Sequence, residues 1–258
     1  MRLDPGLLDD LTERVLNAAQ AVLGDALLAA ELEGSVLNDD FIPWYSDFDL
    51  HLFADSSVMR GPRSLRRDFT FAFQERIGPL DPDDYQVFQL QIYFVSGARY
   101  PEDWTPPIPG TYRVVFGKLP EGVGPLNAEE MRLRAAYGLK RIDRNVDELL
   151  GKLVDKADRN LAGTVRLIGT GLKPGARQAA TFLGAPPVEV WRWPMARVLE
   201  LVESELLPGR EISQYLSIAA RWREARDDPT ELRRIGRLGI AALEQLAAFG
   251  RSLAPISA

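Results

Sequence analysis

The chain has 258 residues, of which 46% are hydrophobic, a formal charge of −6, no cysteine and a single histidine. Disulfides and thiolate metal sites are therefore excluded, His51 alone cannot build a histidine-cluster zinc site, and any metal is expected on oxygen ligands. The acidic balance argues weakly against nucleic acid as the main partner, because phosphate backbones require basic surfaces; a cationic small molecule or a basic protein fits better.

The N-terminal Met1-Arg2-Leu3-Asp4-Pro5 lacks the apolar core of a signal peptide, and no apolar run approaches membrane-spanning length. A cytoplasmic protein without membrane contact is expected. Residues 6–23 place Leu7, Leu8, Leu11, Val15, Leu16, Ala19 and Val22 at helical spacing, with Gly24 as the stop. Residues 26–33 read as a strand entering Gly34-Ser35, and residues 48–54 alternate as a second strand. A helix is predicted over 63–76, with Arg63, Arg66 and Arg67 exposed. Residues 85–95 form an alternating strand with Phe88, Leu90, Ile92 and Phe94 on one face and Val87, Gln89, Gln91 and Tyr93 on the other. The proline-rich stretch 101–109 is a loop, and 111–116 adds a short strand.

Beyond residue 126 the pattern becomes helical. Asn127 is a good N-cap with Glu129 and Glu130 in the first turn, where the helix dipole favours acids. One helix of roughly thirty residues or two abutting ones follow, then stretches over 160–183, 194–206, 211–225 and 230–252. The fold class expected is α+β. An N-terminal domain with a small mixed sheet and flanking helices, 1–122, precedes an all-α helical bundle, 123–258, with the boundary in Pro120-Glu121-Gly122-Val123-Gly124-Pro125.

The most informative motif is Gly34-Ser35, then eleven residues, then Asp47-Phe48-Asp49-Leu50. Residues i and i+2 of a strand share a face, so Asp47 and Asp49 project together while Phe48 and Leu50 enter the core. Two convergent carboxylates suit Mg²⁺, which completes its shell with water and substrate phosphate oxygens. Gly34 permits close approach of backbone to phosphate, and the Ser35 hydroxyl and nearby N–H groups can donate to it.

Gly-Ser, a spacer of this length and Asp-hydrophobic-Asp-hydrophobic, here within Ser46-Asp47-Phe48-Asp49-Leu50, resembles the signature of the polymerase-β-type nucleotidyltransferases. More faintly, Arg159-Asn160-Leu161, Thr164, Arg166, Thr170-Gly171 and Lys173 resemble the helical domain of the aminoglycoside adenylyltransferases that modify streptomycin and spectinomycin. The resemblance implies ATP as substrate, Mg²⁺ on Asp47 and Asp49, and triphosphate contacts from Gly34, Ser35, Ser46 and Lys173, the lysine lying at a helix break. It further implies transfer of AMP to a hydroxyl of a small polar acceptor such as an aminoglycoside, an antibiotic-modifying activity. A solvated lysine in a Gly/Pro turn is the alternative for Lys173.

The sequence departs from that family on the later strand. A third acidic residue is needed there as metal ligand or base, and Gln89 and Gln91 stand on the expected face. Glutamine can ligate weakly but cannot accept a proton. The base comes from elsewhere, from Asp83, Asp84, Glu102, Asp103, Asp143 or Asp147; or metal activation of the hydroxyl dispenses with one; or the protein binds nucleotide without transferring it, as a sensor or a module for a protein partner. A protein acceptor, as in a toxin–antitoxin pair, is a further alternative. His51 shares the aspartate face by alternation, as a substrate contact or a packed histidine. Trp44 and Tyr45 either stack on a ligand ring or anchor their loop, and Trp191, Arg192 and Trp193 read as helix-packing residues.

Overall fold

The computed structural model describes residues 2–97, 108–118 and 127–253. The chain forms two compact units, Met1–Pro125 and Leu126–Ala258. The expected boundary segment, 120–125, lies outside the described residues, as does most of the proline-rich stretch 101–109.

The first unit opens with helix α1, Pro5–Leu23, whose first turn is capped by the Asp4 carboxylate accepting from the N–H groups of Gly6 and Leu7. Strands β1, Leu27–Glu33, and β2, Phe48–Ala54, follow, then a small hairpin of β3, Met59–Gly61, and β4, Ser64–Leu65. Helix α2, Arg67–Ile77, leads to β5, Leu90–Ser96, and β6, Tyr112–Gly117. The main sheet has the order β5-β2-β1-β6. β1 is antiparallel to β2 and β6, and β2 is parallel to β5, so the sheet is mixed and small as expected.

One face of this sheet is the core. Leu32, Phe48, Leu50 and Leu52 are fully buried and cluster with Leu8, Leu11, Val15 and Ala19 of α1 and Phe73 of α2, joined by the half-buried Leu90, Ile92 and Phe94. Phe73 and Phe94 meet edge to face at 5.2 Å. Burying each such side chain contributes about 1.5–3 kcal/mol, which fixes the register because a one-residue slip would send the whole apolar set to the other face. The other face carries only a small apolar cluster, Ala29, Phe53 and Val95.

Some local features differ from the sequence expectation. The strand expected from residue 85 begins at Leu90, because Pro82–Tyr85 closes a 3-10 turn, the Asp81 carboxylate accepting from the Asp83 N–H, and Gln86 takes a left-handed conformation. The start of the helix predicted at residue 63 is taken by β4, and the β3–β4 hairpin has no counterpart among the expected elements.

The second unit is helical throughout its described residues. Helix α3, Ala128–Val154, is a single 27-residue helix opened by a capping box between Asn127 and Glu130. It is followed by α4, Leu161–Phe182, α5, Met195–Glu205, α6, Glu211–Ala219, the one-turn α7, Trp222–Ala225, and α8, Pro229–Ser252. The predicted 211–225 helix is thus two pieces. Conversely α4 runs unbroken through Gly171, Pro174 and Gly175, so Lys173 sits inside a helix and not at a break. Packing overrides the weak local propensity here. A Cβ on Gly175 would lie 3.1 Å from Leu246 of α8 and 3.3 Å from Ile142 of α3, so the glycine admits both neighbours. Among the described residues no helix is long and apolar enough to cross a membrane.

Candidate functional site

Strand pairing lays two rows of side chains across the polar face of the main sheet. Asp49 of β2 stands opposite Glu33 of β1 and Gln91 of β5, and His51 stands opposite Glu31 and Tyr93. Asp47 lies just ahead of β2 and is buried. Its loop is fastened to the segment entering β5: the Trp44 N–H donates to the Gln86 carbonyl at 2.6 Å, the Phe88 N–H to the Ser46 carbonyl at 2.8 Å, and the Phe48 N–H to the Gln89 carbonyl at 3.1 Å. The Ser46 hydroxyl accepts from the Ile42 N–H at 2.9 Å, which makes it a brace of this loop. Tyr45 is buried and Trp44 half-buried with φ +57°.

Gln91 completes the cluster. With the amide orientation assigned from its hydrogen-bond partners, its nitrogen donates to Asp47 Oδ2 at 2.7 Å and to Asp49 Oδ1 at 2.9 Å, and its oxygen accepts from the Tyr93 hydroxyl. The orientation follows from the neighbours, because ionised carboxylates only accept. The same spacing suits a cation: adjacent oxygens of an octahedral Mg²⁺ shell are about 2.9 Å apart. Asp47, Asp49 and, with the amide turned over, the Gln91 carbonyl are oxygen donors of the type a hard divalent cation takes. Gln89 lies just before β5 and meets β2 through its backbone carbonyl.

Gly34 closes the β1 side. Its φ of +84° and ψ of −163° belong to a region open essentially to glycine, and a Cβ there would sit 3.4 Å from Asp49 Cβ and overlap its Oδ2. Ser35 begins a 3-10 turn, Ser35–Leu37, closed by the Leu37 N–H on the Gly34 carbonyl at 3.3 Å. Gly34, Ser35 and the aspartates are therefore neighbours in space.

Behind this row, burial pushes the His51 pKa down to about 4, so the imidazole adds no positive charge at neutral pH. It meets Tyr93 edge-on at 5.2 Å, and its Nδ1 lies 3.8 Å from Glu33 Oε1. Glu31, Glu33 and His51 each bring a ligand atom within 4.8 Å of the others, a mixed oxygen and nitrogen set. Sequence reasoning passes over both glutamates. The available signal is their alternation at 31 and 33 in the strand that enters Gly34-Ser35.

Asp83 and Asp84 are exposed in the turn before β5, and Glu102 and Asp103 fall outside the described residues. Lys173, Asp143 and Asp147 belong to the second unit, where Asp143 pairs with Arg251. There too Trp193 is stacked under Arg197 at 3.7 Å and its carbonyl accepts from Arg177 at 3.1 Å, a packing role. No protein-family model matches the chain, and none of the curated proteins matches it.

Proposed function

We propose that Asp47, Asp49 and Gln91 hold Mg²⁺ with a nucleoside triphosphate, and that the protein transfers a nucleoside monophosphate, AMP from ATP, to a hydroxyl of a small polar acceptor such as an aminoglycoside. The observation that carries this reading is the convergence of the Gln91 amide on Asp47 Oδ2 and Asp49 Oδ1 at 2.7 and 2.9 Å, beside Gly34-Ser35. The motif's resemblance to polymerase-β-type nucleotidyltransferases supports the reaction class, and the faint likeness of the second unit to aminoglycoside adenylyltransferases supports the acceptor class. Mg²⁺ supplies charge neutralisation at the phosphates and lowers the pKa of a bound hydroxyl. Gly34 keeps the backbone close and Ser35 donates to phosphate oxygen, while the resemblance alone gives Lys173 its triphosphate contact. The acceptor oxygen attacks the α-phosphorus in line and pyrophosphate leaves with the bonding electrons; the hydroxyl proton passes to solvent.

A second reading is favoured by one observation: Gln91 occupies the position beside Asp49 where a proton acceptor would stand and cannot accept one. In that reading the site binds nucleotide without transfer and serves a sensing or protein-partner role. Pyrophosphate release with ATP, Mg²⁺ and a panel of aminocyclitols separates the two. Release supports transfer. Mg²⁺-dependent ATP binding with no labelling of small molecules or candidate proteins by α-labelled ATP leaves only the binding role, and unchanged ATP affinity in Asp47→Asn removes the metal role altogether.

A further inference from the structure

We propose that the Gln91 side chain is a metal-gated amide, turning its nitrogen to Asp47 and Asp49 in the metal-free protein and its oxygen to a divalent cation held between them. The inference rests on the reading of these aspartates as a cation site and adds how the site is kept assembled without its cation.

The amide end facing the aspartates lies 2.7 Å from Asp47 Oδ2 and 2.9 Å from Asp49 Oδ1. An oxygen there without a cation would bring acceptors alone into contact, so the metal-free protein needs the NH₂ group at this position. Its two hydrogens then tie the carboxylates together and offset their mutual repulsion. A cation between the same carboxylates reverses the demand, since an amide nitrogen has no lone pair to give and the carbonyl oxygen has.

Rotating an amide ordinarily breaks whatever its far end holds. Here the far end meets the Tyr93 hydroxyl. A phenol donates to the amide oxygen in one state and, by turning its own proton, accepts from the amide nitrogen in the other. The terminal torsion of glutamine is broad and nearly two-fold, so the exchange requires no backbone displacement. A glutamate at 91 would lack this device: with three carboxylates together, the metal-free site would require a proton or another cation. Glutamine therefore gives up proton acceptance and keeps the two aspartates aligned in the empty site.

The test uses the full chain and metal alone. Side-chain amide resonances are followed by ¹⁵N NMR during Mg²⁺ titration, with the Gln91 pair identified by its loss in Gln91→Leu. On saturation the Gln91 NH₂ signals should shift and lose protection from solvent exchange, as they leave the carboxylates. In parallel, Gln91→Leu should weaken Mn²⁺ binding about tenfold or more, and Gln91→Glu should tighten it. Gln91 signals unmoved at saturation, or wild-type Mn²⁺ affinity in Gln91→Leu, overturn the proposal. Asp47→Asn separates the two ideas. Loss of Mn²⁺ binding in that variant with an unresponsive Gln91 overturns the amide role alone, whereas retained affinity in Asp47→Asn, or no saturable binding to the wild type, overturns the cation site itself.

Discussion

Gly34 is packed against Asp49 so closely that a Cβ at position 34 would stand 3.3 Å from the Asp49 carboxyl carbon and overlap Oδ2. The glycine thus serves two purposes at once, a backbone conformation closed to other residues and room for the carboxylate. Gly34→Ala should displace Asp49, cost about 1–3 kcal/mol of stability, and weaken Mg²⁺-dependent nucleotide binding. Thermal unfolding and nucleotide titration check the two effects. Unchanged binding in a folded variant would show that Asp49 does not need its present position.

The second prediction concerns pH. The Tyr85 hydroxyl donates to Asp10 Oδ2 at 2.8 Å and Arg14 donates to the same oxygen at 2.9 Å, tying α1 to the turn before β5. The Tyr85 bond, then Arg14, holds the Asp10 carboxyl below its usual range, and burial, then Asp10, pushes the Tyr85 phenol up. A carboxyl with a depressed folded pKa contributes stability above its unfolded pKa and loses it as pH falls through the folded value; a phenol with a raised pKa contributes below its unfolded value and loses it in alkali. Tyr85→Phe should therefore be less stable than wild type near neutrality, and the difference should shrink as pH falls through and below the ordinary carboxyl range. Urea midpoints across pH measure it. A constant difference across the acid range would assign the loss to packing alone.

The alternation Phe48-Asp49-Leu50-His51-Leu52 is enough to place a strand, its core face and the aspartates, because a strand with one apolar and one polar face writes its facing locally with a period of two. Gln91 is legible for the same reason. The rows Glu33–Asp49–Gln91 and Glu31–His51–Tyr93 are not, since they depend on which strands are neighbours and in what register. Glu31 and Glu33 sit in a strand whose other residues are leucine and alanine, and only pairing with β2 sets them beside Asp49 and His51. The continuity of α4 through Pro174 is hidden likewise, because the contacts of Gly175 with α3 and α8 are remote in sequence.

Helix α6 receives its N-terminal partner from another helix. Glu203, buried near the end of α5, accepts from the Ser213 N–H at 2.7 Å and the Ser213 hydroxyl at 2.6 Å. A carboxylate here meets orphan donors and the positive end of the helix dipole together. Glu203→Ala leaves the half-buried Ser213 donors without their acceptor and should cost about 1–2 kcal/mol; Glu203→Gln, which retains one oxygen, should cost less. Urea unfolding of the full chain reads both. Equal losses would show that Glu203 acts through its packing volume.

Two glycines of α8 should respond to the same substitution with opposite signs. Alanine exceeds glycine in helix propensity by about 1 kcal/mol, so Gly→Ala stabilises a helix wherever the new methyl has room. At Gly236 the Cβ would meet Val165 Cγ2 at 3.4 Å and Ile168 Cδ1 at 3.9 Å, ordinary contact distances with flexible side-chain ends. At Gly250 it would meet Leu139 at 2.9 Å from Cβ and 3.0 Å from both the carbonyl carbon and oxygen. Backbone cannot rotate away as a methyl can, so α3 and α8 would have to separate there. Gly236→Ala should therefore gain about 0.5–1 kcal/mol, and Gly250→Ala should lose about 1–3 kcal/mol despite its better propensity. Denaturant midpoints of the two variants against wild type test the pair, and a stabilised Gly250→Ala would mean that α8 does not approach Leu139 so closely in solution.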